Sequence, residues 1–244
     1  FEGVLERAIF LHEHTDYALV GTPGFNSIWE RAWFMIGFQR ALEGLVLETE
    51  FIHAVMRKVT DLCKLAMGRY LDLVGPYLQI VKLGDDLGTQ NGPIMSPRMY
   101  RSIIQPYHKE LITFVKERTP ARIFLHSCGS VYKLLPDLID AGVDILNPVQ
   151  VSAQDMATNR LKREFGEHLS FMGAIDTQHA LPFGSQEEVR REVEQRILDL
   201  GPGGGYILAP VHNVQSDVPP ENLVTMYQHA RQFGQYPLPS KLSS

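Results

Sequence analysis

Three residues that can bind a transition metal stand at the ends of apolar runs in this sequence. His126 and Cys128 close the run RIFLHSC, and His212 follows a later run, GYILAP. One thiolate and two imidazoles suit zinc, and three protein ligands leave a fourth position open for another molecule. Side chains alternate along a strand, so residues 126 and 128 are expected on one face. The alternative is a polar strand end with a buried thiol, because free cysteine packs like a small hydrophobic residue.

Carboxylates close two other apolar runs. Asp85 and Asp86 end the run at residues 77–86, and Asp176 ends the run at 169–176. Each carboxylate can orient a ligand histidine or handle a proton, and His212 is a further candidate for proton transfer. Helix N-capping is an equally weighted alternative role for these aspartates, since Asp is common where helices begin.

The elements that must position these residues alternate between two patterns. Near-continuous apolar runs predict six strands, at 17–21, 77–86, 122–127, 144–150, 169–176 and 205–210. Helical periodicity appears in the opening FEGVLERAIFLHEHT and at 27–44, 49–75, 96–119, 131–142, 161–166, 185–201 and 219–234. Ser96 and Pro97 mark one helix start, and Ser185 with Glu188 forms a capping box at another. Buried strands alternating with helices predict a parallel sheet covered on both faces.

This alternation predicts an α/β fold, most of a (β/α)8 barrel, as a single domain over residues 1–244. A doubly wound open sheet is the second choice. No Gly-x-Gly-x-x-Gly turn follows the first strand, and the GPGGG run at 201–205 precedes a strand, which is typical of a helix-to-strand loop. The chain begins Phe1-Glu2-Gly3, so we expect an N-terminal portion of the barrel to be absent. Barrel sites lie at the carboxyl ends of strands, where the residues above collect.

The amino-acid composition argues against some classes of binding partner. The 244 residues carry a formal charge of −5, with 44% hydrophobic and 21% charged residues. The absence of a Lys/Arg tract argues against nucleic acid and anionic membranes, and no apolar run reaches the ~20 residues of a membrane span. Two cysteines, Cys63 in a helical pattern and Cys128 at a strand end, do not suggest a disulfide. We expect a cytoplasmic protein that acts on a small molecule.

Four stretches, HSCGS, AGVDILNPVQ, FMGAIDT and YILAPVHNVQSDVPPENL, resemble the uroporphyrinogen decarboxylase superfamily. This superfamily includes uroporphyrinogen decarboxylase and the corrinoid-dependent methyltransferases. The resemblance covers nearly the whole chain and implies a (β/α)8 barrel with further residues upstream. It also implies a methylcorrinoid as methyl donor, a corrinoid protein as partner and a homodimer.

The two branches of the superfamily differ at the residues introduced above. The methyltransferase branch holds zinc with His-x-Cys and a later Cys. His126 and Cys128 match the first two ligands, and His212 stands at the third position. The decarboxylase has a histidine at that third position and no metal, so this departure leaves both branches open.

Other decarboxylase features are weak in this sequence. The tyrosine with which the decarboxylase contacts its substrate is replaced here by Trp33 or Phe34. The Asp-Ser-Trp motif of the decarboxylase corresponds to Asp85-Asp86-Leu87, and its arginine motif would lie upstream of this sequence. We therefore expect zinc-dependent methyl transfer from a methylated corrinoid to a small acceptor. The first alternative is decarboxylation of uroporphyrinogen to coproporphyrinogen. The second is a non-catalytic paralogue that binds a tetrapyrrole or a corrinoid protein.

Overall fold

The computed structural model describes residues 3–239, and strands alternate with helices along this length. Six strands belong to one sheet and two more form a separate hairpin. The sheet strands are β1 (Val20–Gly21), β2 (Ile80–Gly84), β5 (Arg122–His126), β6 (Ile145–Val149), β7 (Ser170–Ile175) and β8 (Tyr206–Pro210); the hairpin is β3 (Gly88–Thr89) with β4 (Gly92–Pro93).

One helix precedes the first strand, and others connect strands of the sheet and follow the last one. They are α1 (Val4–His14), α2 (Trp29–Ile36), α3 (Phe38–Leu47), α4 (Thr49–Val74), α5 (Pro97–Met99), α6 (Gln105–Lys116), α7 (Leu135–Ala141), α8 (Thr158–Phe165), α9 (Ala180–Phe183), α10 (Gln186–Leu200) and α11 (Pro220–Phe233). A π-helical turn, Tyr100–Ile104, joins α5 to α6, and single 3-10 turns, Gly75–Tyr77 and Tyr132–Leu134, follow α4 and precede α7. Within residues 3–239, no helix has the length and apolar content needed to cross a membrane.

The order of the strands within the sheet follows their order along the chain. It runs β1-β2-β5-β6-β7-β8, with the hairpin outside the sheet. The pairs β1–β2, β2–β5, β6–β7 and β7–β8 are parallel, and Gly84 of β2 stands opposite His126 of β5. A doubly wound sheet would reverse its strand order part-way, whereas a (β/α) barrel winds in one direction. The observed order therefore favours the barrel type over the second choice.

The chain divides into two compact units. The first contains residues up to 87, 94–127 and 134–144, and the second contains 88–93, 128–133 and the residues from 145 onward. The first unit buries Trp29, Ile52, Met56 and Tyr100 completely. The second has a core in which α10 and α11 contribute most of the side chains: Ile175, Leu181, Val189, Val193, Ile197, Val218 and Met226.

Several predicted caps and ends are confirmed. The Ser96 side chain accepts a bond from the Met99 N–H, Ser185 and Glu188 form the capping box, and Gly142 ends α7 in the left-handed conformation. One predicted helix, 27–44, is wrong as a single element. It is two helices that meet at Gly37, which has φ 91° and ψ 139°. Residues with a Cβ rarely adopt this conformation, so glycine permits the break.

The shortest elements differ most from the prediction. The strand predicted at 17–21 is only Val20–Gly21, and neither the hairpin β3–β4 nor the four-residue helix α9 was predicted. Elements of two to four residues contain too few positions to show a period of 2 or 3.6.

Candidate metal site at the carboxyl ends of the strands

His126, Cys128 and His212 offer one ligand atom each, and the three atoms lie within 4.8 Å of one another. His126 is the last residue of β5, Cys128 lies two residues further on, and His212 lies two residues beyond β8. Ligand atoms around a tetrahedral zinc ion are about 3.5 Å apart, given bond lengths of 2.0–2.3 Å. The donor set suits zinc, and binding would bring the ligand atoms that lie farther apart towards this separation.

The backbone after Cys128 is closely held within the second unit. The Gly129 N–H donates to Oε1 of Gln150 over 2.8 Å, and the Ser130 N–H donates to the Thr89 carbonyl over 2.8 Å. Gly129 has φ +82°, and a Cβ on Gly88 would lie 2.6 Å from the Cys128 carbonyl oxygen. Two glycines are thus needed where the hairpin meets the chain beside the thiol.

Asp85 is buried and its carboxylate caps helix α2 from a distant part of the sequence. Its Oδ2 accepts N–H bonds from Ile28 and Trp29 at 2.9 and 3.0 Å, and its Oδ1 accepts one from Glu30 at 2.6 Å. The carboxylate therefore satisfies N–H groups that a helix start leaves without intrahelical partners. The predicted catalytic role of Asp85 stays untested, but these contacts favour the N-cap role.

A buried histidine completes the contacts of this carboxylate. Nε2 of His108 lies 2.6 Å from Oδ2 of Asp85, and Nδ1 of His108 lies 2.9 Å from the Tyr100 hydroxyl. Burial, followed by repulsion from Asp85, raises the pKa of Tyr100 well above its usual value. Tyr100 therefore stays protonated, and the Tyr100–His108–Asp85 series holds α6 and the π-helical turn against the N-terminus of α2.

Asp86 differs from Asp85 in its exposure and neighbours. Its side chain is 42% exposed, and its Oδ1 lies 4.0 Å from Nε2 of His126. This separation is compatible with a carboxylate that orients the imidazole, and the role of Asp86 in supporting a metal ligand stays a prediction. Its role in catalysis remains a prediction.

Glu30 is a candidate that sequence reasoning missed. A Cβ placed on Gly84 would lie 3.9 Å from Oε2 of Glu30 and 3.9 Å from Cβ of His126, so the carboxylate stands beside the ends of β2 and β5. Burial, then repulsion by Asp85 and Asp86, raises the pKa of Glu30 to about 7. No local pattern marks this glutamate, because its environment comes from residues more than fifty positions away.

Asp176 occupies a turn after β7. Its Oδ1 accepts the Gln178 N–H over 2.7 Å, and its backbone carbonyl accepts the Leu181 N–H in α9. These bonds form a turn before α9, whose N-cap residue is His179 rather than Asp176. A proton-transfer role for Asp176 remains a prediction. Trp33 and Phe34 are the two residues expected to replace the decarboxylase tyrosine, and the Trp33 ring lies 4.1 Å from that of Phe34 and 5.4 Å from that of Phe38, between centroids.

The second cysteine has a different environment. Cys63 is fully buried in α4, and its Sγ lies 3.4 Å from the Ser27 carbonyl oxygen. Burial, followed by repulsion from Asp85, raises the pKa of the Cys63 thiol to about 12. Cys63 is therefore an inert core thiol, and Cys128 is the cysteine with partial exposure.

The sequence matches one known protein family over most of its length. Residues 11–233 match the family described as uroporphyrinogen decarboxylase (URO-D). The chain belongs to the URO-D family. The resemblance in the four quoted stretches is thereby confirmed, and the family match extends over nearly all the elements that carry the candidate site.

Individual relatives carry two different names. The chain is 28% identical over 231 residues to uroporphyrinogen decarboxylase of Crocosphaera subtropica, covering 92% of this chain and 60% of that protein. It is 27% identical over 213 residues to methylated-thiol–coenzyme M methyltransferase of Methanosarcina mazei, covering 87% and 53%. The chain thus spans little more than half the length of these relatives.

A solved structure shares the fold. A methyltransferase from Methanosarcina mazei superposes with a TM-score of 0.72 at 18% identity, covering 94% of this chain and 64% of that one. This likeness confirms the predicted α/β fold of the URO-D type.

Proposed function

We propose that the chain forms the metal-binding part of a methyltransferase that moves a methyl group from a methylated corrinoid to a small acceptor. The observation that carries the proposal is the convergence of one thiol and two imidazoles within 4.8 Å. A thiolate ligand has a use in zinc-dependent activation of an acceptor, whereas decarboxylation of a pyrrole side chain has no use for it. The proposed partners are a small-molecule acceptor and a corrinoid protein.

His126, Cys128 and His212 would hold the zinc. When bound, zinc would supply Lewis acidity that lowers the pKa of an acceptor thiol and makes it nucleophilic at neutral pH. The chain's own residues would position these ligands and manage the proton. Asp86 lies 4.0 Å from the His126 imidazole and would fix its orientation, and Glu30, with a pKa of about 7, can accept and return a proton near neutrality.

Decarboxylation of uroporphyrinogen is the second candidate. It is supported by the identity of 28% to a protein named uroporphyrinogen decarboxylase, which is close to the 27% shared with the named methyltransferase. In this candidate no metal is required, and His212 with a carboxylate would handle protonation of a carbanion. A non-catalytic paralogue that binds a tetrapyrrole or a corrinoid protein would bind without turnover of either substrate.

The test pairs a metal measurement with two assays. The purified protein is analysed for zinc, then offered methylcobalamin with candidate thiols and, separately, uroporphyrinogen. We expect Cys128→Ser to lose most of the zinc and the methyl transfer while retaining its fold. Cys63→Ala is the matched control, because it removes the other cysteine, which lies in the core.

Two other results would contradict the proposed methyl transfer. Release of carbon dioxide from uroporphyrinogen, unaffected by a chelator and by Cys128→Ser, would replace methyl transfer with decarboxylation. Tetrapyrrole or corrinoid binding without turnover in either assay would favour the non-catalytic paralogue.

A further inference from the structure

We propose that Gln150 is a positioning residue, whose side chain fixes the Cys128–Gly129 peptide and thereby orients the Cys128 thiolate for metal binding. The inference rests on the proposed function and extends it to a residue that does not itself donate a ligand atom. Gln150 follows β6 directly, whereas Cys128 follows β5, so the contact depends on tertiary structure.

The first step concerns the peptide plane beside the thiol. The Gly129 N–H donates to Oε1 of Gln150 over 2.8 Å, and this N–H belongs to the peptide that begins at the Cys128 carbonyl. A fixed peptide plane limits ψ of Cys128, and ψ together with the side-chain rotamer determines where Sγ points. Thiolate direction is therefore coupled to one glutamine side chain.

The second step is that Gln150 is itself anchored. Its Nε2 donates to Oε1 of Gln90 over 2.9 Å, and Nε2 of Gln90 donates to the Ser152 carbonyl over 2.5 Å. The Gln90 carbonyl also accepts the Gln154 N–H over 2.9 Å. Gln90 lies between the two strands of the hairpin, so the segment after β6 holds Gln90, and Gln90 in turn holds the side-chain amide of Gln150.

The third step concerns a second close neighbour of the same peptide. The Gly88 backbone lies so close to Cys128 and Gly129 that a Cβ on Gly88 would approach the Gly129 carbonyl carbon to 2.9 Å. The peptide thus has close contacts with the Gly88 backbone and with the Gln150 side-chain amide. Such outer contacts preorganise a metal ligand, and their loss typically weakens metal binding by about 10- to 100-fold.

The experiment compares two glutamine-to-methionine substitutions in the purified protein. Gln150→Met removes the acceptor for the Gly129 N–H with little change of volume. Gln105→Met is the matched control, because Gln105 is also partly buried and also makes a 2.8 Å bond to backbone, to the Asp137 carbonyl far along the chain. Zinc dissociation constants and the thiolate-to-metal charge-transfer absorption of the cobalt-loaded protein are measured for each variant.

We expect Gln150→Met to weaken zinc binding at least about 10-fold and to alter the charge-transfer band, while Gln105→Met leaves both unchanged. Gln150→Glu keeps an acceptor for Gly129 but loses the donor to Gln90, so we expect it to weaken zinc binding less than Gln150→Met does and to retain more of the charge-transfer band. Gln90→Met removes the partner of the Gln150 amide and should also raise the zinc dissociation constant. This variant takes the place of Gln150→Met if Gln150→Met does not fold.

Two failures are distinguishable. Wild-type protein that binds zinc through Cys128, with Gln150→Met and Gln90→Met indistinguishable from Gln105→Met, would overturn only the positioning role. Wild-type protein whose zinc binding does not depend on Cys128 would overturn the proposed function and the positioning role together.

Discussion

The Asp85 carboxylate lies 2.6 Å from Nε2 of His108 while it also accepts three backbone N–H bonds at the start of α2. One side chain, 1% exposed, therefore joins the end of β2 to α2, which precedes it in the sequence, and to α6, which follows it. Because α2 carries Glu30, this contact also determines where that carboxylate stands.

The first prediction concerns the stability provided by Asp85. Asp85→Asn removes the charge from a buried group that has four hydrogen-bonding neighbours, so we expect the free energy of unfolding to fall by about 3 kcal/mol. Urea denaturation measures the change. Asp86→Asn is the control, since Asp86 is 42% exposed, and it should stay within about 0.5 kcal/mol of wild type. Equal losses for both variants would contradict the N-cap role.

The second prediction uses the raised pKa of Glu30. Its folded pKa is about 7 against an ordinary 4.5, so between these values the folded state keeps a proton that the unfolded state releases. The contribution of Glu30 to the free energy of unfolding is therefore fully present below about pH 4.5 and falls as pH rises towards 7. Glu30→Gln should become progressively more stable relative to wild type across this window.

Urea denaturation of both proteins at about pH 5, 6 and 7.5 measures this difference. Glu43→Gln, at an exposed position of α3, is the control and should show no such slope. A constant difference between Glu30→Gln and wild type across the window would contradict the raised pKa.

The third prediction concerns thiol reactivity. Only the thiolate is nucleophilic, and the pKa of Cys63 is raised to about 12 in a fully buried position. A chromogenic disulfide reagent should therefore label one thiol in the native protein and two after denaturation. Cys128→Ser should abolish the native signal, and added zinc should suppress it in wild type. Native labelling of Cys128→Ser would show that Cys63 is accessible.

The fourth prediction concerns an ion pair between α4 and α6. The two terminal guanidinium nitrogens of Arg57 donate to the Glu110 carboxylate over 2.9 and 2.8 Å, and Nζ of Lys64 donates to it over 3.0 Å. The Arg57 hydrogen bond has the largest effect on the pKa of Glu110. Burial opposes it, and with the further bond from Lys64 the pKa is lowered to about 2. The contribution of the Glu110 carboxylate to the free energy of unfolding is therefore present above about pH 4.5 and is lost as pH falls towards 2.

Glu110→Gln should cost less than about 1 kcal/mol near neutral pH, because the partners are partly exposed, and still less near pH 3. Unfolding curves at the two pH values, with and without added salt, measure this loss. A cost that grows on acidification would contradict the direction of the shift.

The order of the secondary structure was largely determined by the sequence. Six apolar runs became the six strands of one sheet, and α4 and α10 lie within a residue of their predicted bounds. Long helices repeat their period many times and carry local caps, as Ser185 and Glu188 do, so local sequence is enough to define them. The quoted stretches also identified the family, and they pointed to His126, Cys128 and His212 as candidates.

Only the tertiary structure decided what surrounds those candidates. The environments of Asp85, Glu30 and Gln150 arise from contacts across 20 to 60 positions of sequence, such as the bond from Gly129 to Gln150 and that from Ile28 to Asp85. Sequence left Asp85 equally suited to catalysis or capping, because the residue type allows both. Burial and hydrogen-bond partners distinguish them, and these exist only after distant segments pack together.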